Sequence, residues 1–333
     1  LELKAKNVHQ LLPTVLNALR KDGIHRDSRN GPVLVYPEPV TITYTSPCER
    51  VMFWPERDCN PALHLYESLW MIRGRNDVEP LVRYAKQFRN YSDDGQVMHG
   101  AYGHRWRRHF GRDQLTIIAD RLRRNSDDRR CVLSMWDARA DLDREGKDVP
   151  CNTIATFQRD HNGTLDLTVF NRSNDLIWGL TGANAVHFSF LLEYMATLIG
   201  CPVGRYHQIS TNMHAYINTL EPLAAITRVD VDPYARVRHI PLPLDPWATD
   251  DEIESVVACA DGSYRAMKST WGKMAWAVLY ANHTWRTSKK EERFSAANRI
   301  LDQSPSSDLT DWVVAQREWF ERRQRAWEAK GGE

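Results

Sequence analysis

Asp148-Val149-Pro150-Cys151-Asn152-Thr153 and Asn171-Arg172-Ser173-Asn174-Asp175 frame the part of the chain that decides its fold. Between them, Thr153-Ile154-Ala155-Thr156-Phe157 and Leu165-Asp166-Leu167-Thr168-Val169-Phe170 are β-rich runs on either side of Asp160-His161-Asn162-Gly163. Two such runs around a polar turn with a glycine predict a β-hairpin. A hairpin brings the far ends of its strands together, so Cys151 and Arg172 are expected as neighbours. A guanidinium favours the charged form of a nearby thiol, which gives Cys151 a reason to be a thiolate nucleophile. The plainer alternative is a buried structural cysteine beside a surface arginine. The cation, hydroxyl, amide and carboxylate packed into Arg172–Asp175 favour a site.

The flanking segments add to it. Upstream, Ser126-Asp127-Asp128-Arg129-Arg130 precedes the apolar strand Cys131–Trp136, and tandem arginines at a strand start suit a phosphate, although a solvated turn is the default. Downstream, Asn184–Ile199 is apolar almost all round and predicts a helix through the core, ended by Gly200-Cys201-Pro202. A strand over Gly204–Ser210 follows, then His214-Ala215-Tyr216, whose period of two puts both polar rings on one face if extended. Residues 8–21 have helical spacing with Gly23 as the stop. The polar loop His25–Pro32, with Arg26 and Arg29, can hold an anion ahead of the strand Val33–Tyr36. Residues 38–54 read as strands, and Ala62–Arg73 as a helix with Glu67 on or near its apolar face. A carboxylate there is either paired or chemically used. Gly100–Trp106 reads as a glycine-punctuated loop, and residues 217–228 as helical. After the proline-rich Asp232–Pro246 come four helices: Ile253–Ala260, Ala266–Tyr280, Ser295–Leu301 and Asp311–Ala329.

The totals bound the function. A chain of 333 residues with 42% apolar and 26% charged residues has the composition of a soluble globular protein. A net charge of +1 argues against a global attraction to nucleic acid or membrane. No apolar run reaches the roughly 18–20 residues of a spanning helix. The six cysteines (48, 59, 131, 151, 201 and 259) show no zinc spacing, so no metal is expected, and they read as reduced thiols in a cytoplasmic setting. Twelve tryptophans point to an aromatic core or, less simply, to a stacking site for a planar ligand.

With these residues laid out, the chain resembles the thymidylate synthase superfamily from Leu11 to Leu220, most closely from Arg129 to Tyr216. The resemblance is carried by Arg129-Arg130 before a strand ending in Trp136, Pro150-Cys151, Arg172-Ser173-Asn174-Asp175 with Gly179, Asn184 at the head of a buried helix, His214-x-Tyr216, and Glu67 and Trp70 in Leu65-Tyr66-Glu67-Ser68-Leu69-Trp70. Arg29-Asn30-Gly31 sits where that family has a phosphate-closing arginine loop. The resemblance implies an α+β fold with a large mixed β-sheet packed against a long buried helix, a sheet face forming a homodimer interface. It implies a catalytic region over residues 1–250; residues 251–333, helical by their own pattern, are without a counterpart in the resemblance and are expected to continue from it.

It also implies roles. Cys151 would add to C6 of a pyrimidine nucleoside monophosphate, and C5 would take the one-carbon unit of the co-substrate 5,10-methylenetetrahydrofolate. Arg29, Arg172 and Ser173 would bind the phosphate, joined by Arg129 and Arg130 from the partner of a homodimer. Asn184 would face the base edge, and His214 with Tyr216 the ribose hydroxyl. Asp175, Trp70 and Gly179 would bind folate, Asp175 also taking part in catalysis, and Glu67 would move protons. The wording around Cys151 and Arg172 is closer to the pyrimidine nucleotide hydroxymethylases than to the methylating synthases. The chain also ends Ala326–Glu333 without the short apolar tail that closes over folate in the synthases. Water would then quench the intermediate, giving a hydroxymethyl product. The substrate reading leans toward a cytidylate, CMP or dCMP, in phage or nucleoside-antibiotic nucleotide modification. Hydroxymethylation of dUMP and its reductive methylation are the alternatives, and a nucleic-acid-binding module using the arginines of 105–108 and 121–130 is a distant one.

Overall fold

A computed structural model describes residues 1–261 and 265–331; Gly332 and Glu333 of the tail discussed above lie outside them. The chain groups into two units, Leu1–Arg50 with Trp70–Asp230, and Val51–Leu69 with Val231–Glu333.

The first unit holds ten strands among the described residues: β1 (Glu2–Ala5), β2 (Ile24–Arg26), β3 (Val33–Val35), β4 (Val40–Tyr44), β5 (Val132–Ser134), β6 (Asn152–Arg159), β7 (Leu165–Asn171), β8 (Asn174–Asp175), β9 (Val203–Ser210) and β10 (Met213–Tyr216). Six form a mixed sheet in the order β1-β4-β9-β7-β6-β5, and four a smaller one, β2-β3-β10-β8. The expected hairpin is β6–β7, antiparallel, with Asn152 opposite Asn171. Its turn is fixed by Asp160, whose carboxylate accepts the backbone N–H groups of Asn162 and Thr164, both at 2.9 Å. Gly163 supplies the left-handed residue at φ +78°.

The apolar helix Ala183–Ile199 is buried along nearly its whole length, as its all-round apolar sequence requires. Around it Phe188 meets Tyr102, Trp106 and Tyr206 with ring centroids 5.7–6.4 Å apart. Of residues 38–54 only Val40–Tyr44 is a strand, and two further segments depart from the sequence reading. Gly100–Trp106 is not a loop: Tyr102–His104 is helical and runs into a wider, π-type turn over Arg105–His109. Gly103 serves close packing there, because a Cβ on it would fall 1.9 Å from the carbonyl oxygen of Met71. Residues 217–228 form only the short turns Ile217–Leu220 and Glu221–Leu223, with Pro222 removing a backbone donor.

The second unit is helical: Pro246–Ala260, Thr270–Thr287, Arg293–Leu301 and Asp311–Glu328. Here several of the tryptophans are core, while Trp247 is 85% exposed. Trp271 and Trp312 are buried, and Trp285 stacks on Phe320 at 4.7 Å. The unit takes in Val51–Leu69 through polar ties from distant parts of the chain. Gln316 accepts the N–H of Ala62 at 2.9 Å, Tyr66 donates to Asp261 at 2.9 Å, and Asn282 donates to Asn60 at 3.3 Å. This grouping differs from a division drawn at 250, because those ties lie outside any local pattern. Among the described residues no helix is long and apolar enough to cross a membrane.

Candidate active site

A cleft of about 960 Å³ opens in the first unit, with Cys151 and Arg172 in its wall. The hairpin holds the two as expected: the N–H of Arg172 donates to the carbonyl of Cys151 at 2.9 Å. The guanidinium is tied down in turn. Its Nε donates to the carbonyl of Pro150 at 2.8 Å, its Nη2 to that of Val149 at 3.2 Å, and Nη2 lies 4.0 Å from the Cys151 Sγ. Its planar face sits 5.5 Å over the Trp136 ring. The hydroxyl of Tyr102 accepts the N–H groups of both Cys151 (3.1 Å) and Asn152 (3.2 Å), fixing the backbone that carries the thiol.

The thiolate expectation does not hold for the unliganded site. Burial pushes the Cys151 thiol above its ordinary value; Arg172 and Arg29 pull it down, while Asp148 and Asp175 push it up. Desolvation and two carboxylates outweigh the guanidiniums, so the proton affinity of the thiol is raised rather than lowered. Asp148, in the same wall, accepts the N–H of Gly100 at 2.8 Å, and burial raises its carboxyl above the usual range.

The cleft also gathers Arg29, Ser173, Asp175, His214 and Tyr216. Arg29 donates to the carbonyls of Gly146 (3.1 Å) and Lys147 (3.3 Å). Asp175 caps the turn after it, accepting the N–H groups of Ile177 and Trp178 at 2.7 and 2.6 Å. His214 and Tyr216 share a face of β10 with rings 5.7 Å apart, as the period of two predicted. At the rim Tyr91, Leu142 and Trp178 are 52%, 76% and 59% exposed, unusual for large apolar side chains unless something covers them.

Other expected residues stand elsewhere. Asn184 is committed to a chain of amides: its Oδ1 accepts from Asn152 at 3.1 Å, its Nδ2 donates to Asn174 at 3.1 Å, and Asn174 donates on to Gln208 at 3.0 Å. Gly179 makes room for that chain, since a Cβ on it would lie 2.2 Å from the Asn174 Oδ1. Trp70 is 3% exposed and its indole N–H donates to the carbonyl of Asp77 at 3.1 Å. Arg129 and Arg130 are exposed and outside the cleft lining. Glu67 stands half-buried on the helix Pro61–Ile72, in the second unit. Sequence reasoning missed Tyr102 and Asp148. Asp148 lay inside the quoted stretch, and the glycines flanking Tyr102 marked a close backbone approach rather than a loop.

Such a wall can present a nucleophilic sulfur, a proton acceptor and arginines to an anionic ligand, under an apolar rim. Among known proteins, the sequence pattern of the family described as thymidylate synthase matches residues 14–241. The deoxyuridylate hydroxymethyltransferase of Pseudomonas phage M6 is 48% identical over 341 residues, 98% of this chain and 96% of that protein. The deoxyuridylate hydroxymethyltransferase of Bacillus phage SP01 is 37% identical over 220 residues, 63% of this chain and 57% of that protein. The crystal structure of thymidylate synthase from T4 phage aligns with a TM-score of 0.57 at 22% identity, over 66% of this chain and 81% of that one, a likeness of fold.

Proposed function

The chain belongs to the thymidylate synthase family, enzymes of one-carbon transfer, and we propose that it hydroxymethylates C5 of a pyrimidine nucleoside monophosphate, deoxyuridylate before any other. The observation that carries this reading is Cys151 held in a cleft between Arg172 and the Tyr102 hydroxyl. The two deoxyuridylate hydroxymethyltransferases support the choice of base. The cytidylate expected from the sequence has no observation in the site behind it.

In this reading Cys151 adds to C6 and makes C5 nucleophilic. Arg172, Ser173 and Arg29 bind the phosphate, and a second copy of the chain in a homodimer lends Arg129 and Arg130. His214 and Tyr216 take the sugar. 5,10-methylenetetrahydrofolate, when bound, supplies the one-carbon unit. The exposed faces of Tyr91, Leu142 and Trp178 fit its planar body, and Asp175 holds it from the turn that carries Trp178. Trp70 and Gly179 support the folate side by packing.

The test is mass spectrometry of the products after separate incubation with methylenetetrahydrofolate and dUMP, UMP, dCMP or CMP. A hydroxymethyl increment on dUMP is expected, and its absence after Cys151→Ala. A methyl increment would make the enzyme a reductive synthase; turnover surviving the loss of the thiol would remove the covalent mechanism.

A further inference from the structure

His214 and Tyr216 take the sugar in the proposed reaction, and an imidazole can meet a hydroxyl in two ways. A neutral ring donates from one nitrogen and accepts at the other. Which nitrogen holds the proton is decided by the partner that the other nitrogen finds in the protein. At His214 that partner is Asn212, whose side-chain oxygen lies 3.0 Å from Nδ1.

Asn212 is itself firmly held. It belongs to the short link Thr211-Asn212 between β9 and β10. Its carbonyl accepts the N–H of Asn174 at 2.9 Å, and Thr211 donates its N–H to the carbonyl of Asn171 at 3.0 Å. His214 is flanked in the smaller sheet by Val35 of β3 and Asp175 of β8. The amide oxygen can only accept, so in the neutral ring Nδ1 donates to it and Nε2 keeps its lone pair. Nε2 has no hydrogen-bond partner among the described residues, and Asn212 and His214 both line the cleft.

Tyr216 has the opposite polarity. Its hydroxyl accepts from the Asn30 amide at 3.4 Å, which leaves the O–H proton to donate. The His214 and Tyr216 rings stand 5.7 Å apart at 85°. One acceptor beside one donor matches a single hydroxyl, which donates to Nε2 and accepts from Tyr216. Deoxyuridylate carries one free hydroxyl, at C3′.

We propose that Asn212 is a positioning residue that makes His214 a hydrogen-bond acceptor and so sets the preference of the site for a nucleotide with a free sugar hydroxyl. The inference rests on the nucleotide reading above, and Asn212 touches no reacting atom in it.

The test is calorimetric binding of dUMP and of 2′,3′-dideoxyuridine monophosphate, which lacks the hydroxyl, to the wild-type chain and to Asn212→Leu. Ring-nitrogen NMR of His214 in the free protein is read alongside. The wild-type chain should prefer dUMP, and its neutral His214 should carry the proton on Nδ1. Asn212→Leu should weaken dUMP by about 10-fold, the loss of one oriented hydrogen bond. It should leave the dideoxy nucleotide nearly unchanged, because that ligand has nothing to offer Nε2. Asn212→Asp, which again gives Nδ1 an oxygen acceptor, should restore most of the preference. Equal losses on both nucleotides would make Asn212 merely structural, and a proton found on Nε2 would reverse the polarity; either result would overturn the assignment. Should the Leu variant fail to fold, Asn212→Ala removes the same acceptor and the same comparison decides. Failure of the nucleotide reading shows separately, as a wild-type chain that binds neither ligand, and the assignment would fall with it.

Discussion

Arg172 and the pair Arg129-Arg130 are the same residue type, each next to a strand of the same sheet, and the molecule treats them in opposite ways. Arg172 is fixed inside its own chain by two carbonyls and a tryptophan face, with Nη1 left for a ligand. Arg130 is exposed, its Nε and Nη2 each 3.0 Å from Asp128, and Arg121 pairs with the same carboxylate at 2.8 Å. A guanidinium held by neutral carbonyls keeps its charge for an incoming anion. One facing a carboxylate has part of its field cancelled until something else takes it up. In our reading the first is a finished half of an anion site, and the second is an offer to a second copy of the chain.

The comparison breaks most visibly at Arg172. Arg172→Ala should lower kcat/KM on the order of 10²-fold through lost charge-assisted hydrogen bonds to phosphate. It should also slow alkylation of Cys151, because the guanidinium is the larger of the two influences that pull the thiol down. The sign should be opposite for Asp148→Asn, whose carboxylate pushes the thiol up, so the two variants bracket it from both sides. Unchanged alkylation would mean that Arg172 acts on the phosphate alone.

The double variant Arg129→Ala/Arg130→Ala should come next in size. Both side chains are exposed, so the fold and its melting temperature should stay as they are. Turnover should fall roughly 10-fold or more if each arginine gives a phosphate one charged hydrogen bond. Mixing this chain with Cys151→Ala chains should restore part of the activity, since a hybrid dimer contains one site with an intact thiol and intact arginines. Hybrid dimers without activity would break the idea that the pair serves a neighbour.

These contrasts also mark how far the sequence could be read. The hairpin was legible because strand alternation and the Asp160–Gly163 turn agree on one register. The helix Ala183–Ile199 was legible because no polar face competes with its burial. The meeting of Cys151 with Arg172 followed from the hairpin alone. The raised proton affinity of Cys151 did not, because the balance turns on burial and on Asp148 and Asp175, whose positions no spacing gives. Asn184 was found as a residue but not as a link between Asn152 and Asn174. Such amide chains join β6, β8 and the buried helix in space only. The joining of Val51–Leu69 to the helical unit was equally hidden, since it rests on single contacts such as Gln316 with Ala62.

The smallest expected effect is the sharpest test of the pairing. Asp128 takes the backbone N–H of Arg130 at 2.9 Å as well as the guanidinium, so it fixes where that side chain starts from. Its carboxyl is held well below the usual range, first by the hydrogen bond from Arg130. Asp128→Asn keeps the shape and removes the charge. Of this pair only Arg130 is exposed, the Asp128 side chain being 7% so, and melting should fall slightly. The guanidinium loses its fixed orientation and gains uncancelled charge, and these act in opposite directions on an anion. We expect orientation to win, because a planar fork binds phosphate through two aligned donors, and KM for the nucleotide to rise by roughly 2–5-fold with kcat unchanged. The same substitution in an Arg130→Ala background should then do nothing, since coupled residues share one effect. An equal rise in KM there would show that Asp128 works through Arg121, and the contrast with Arg172 would have to be redrawn around that residue.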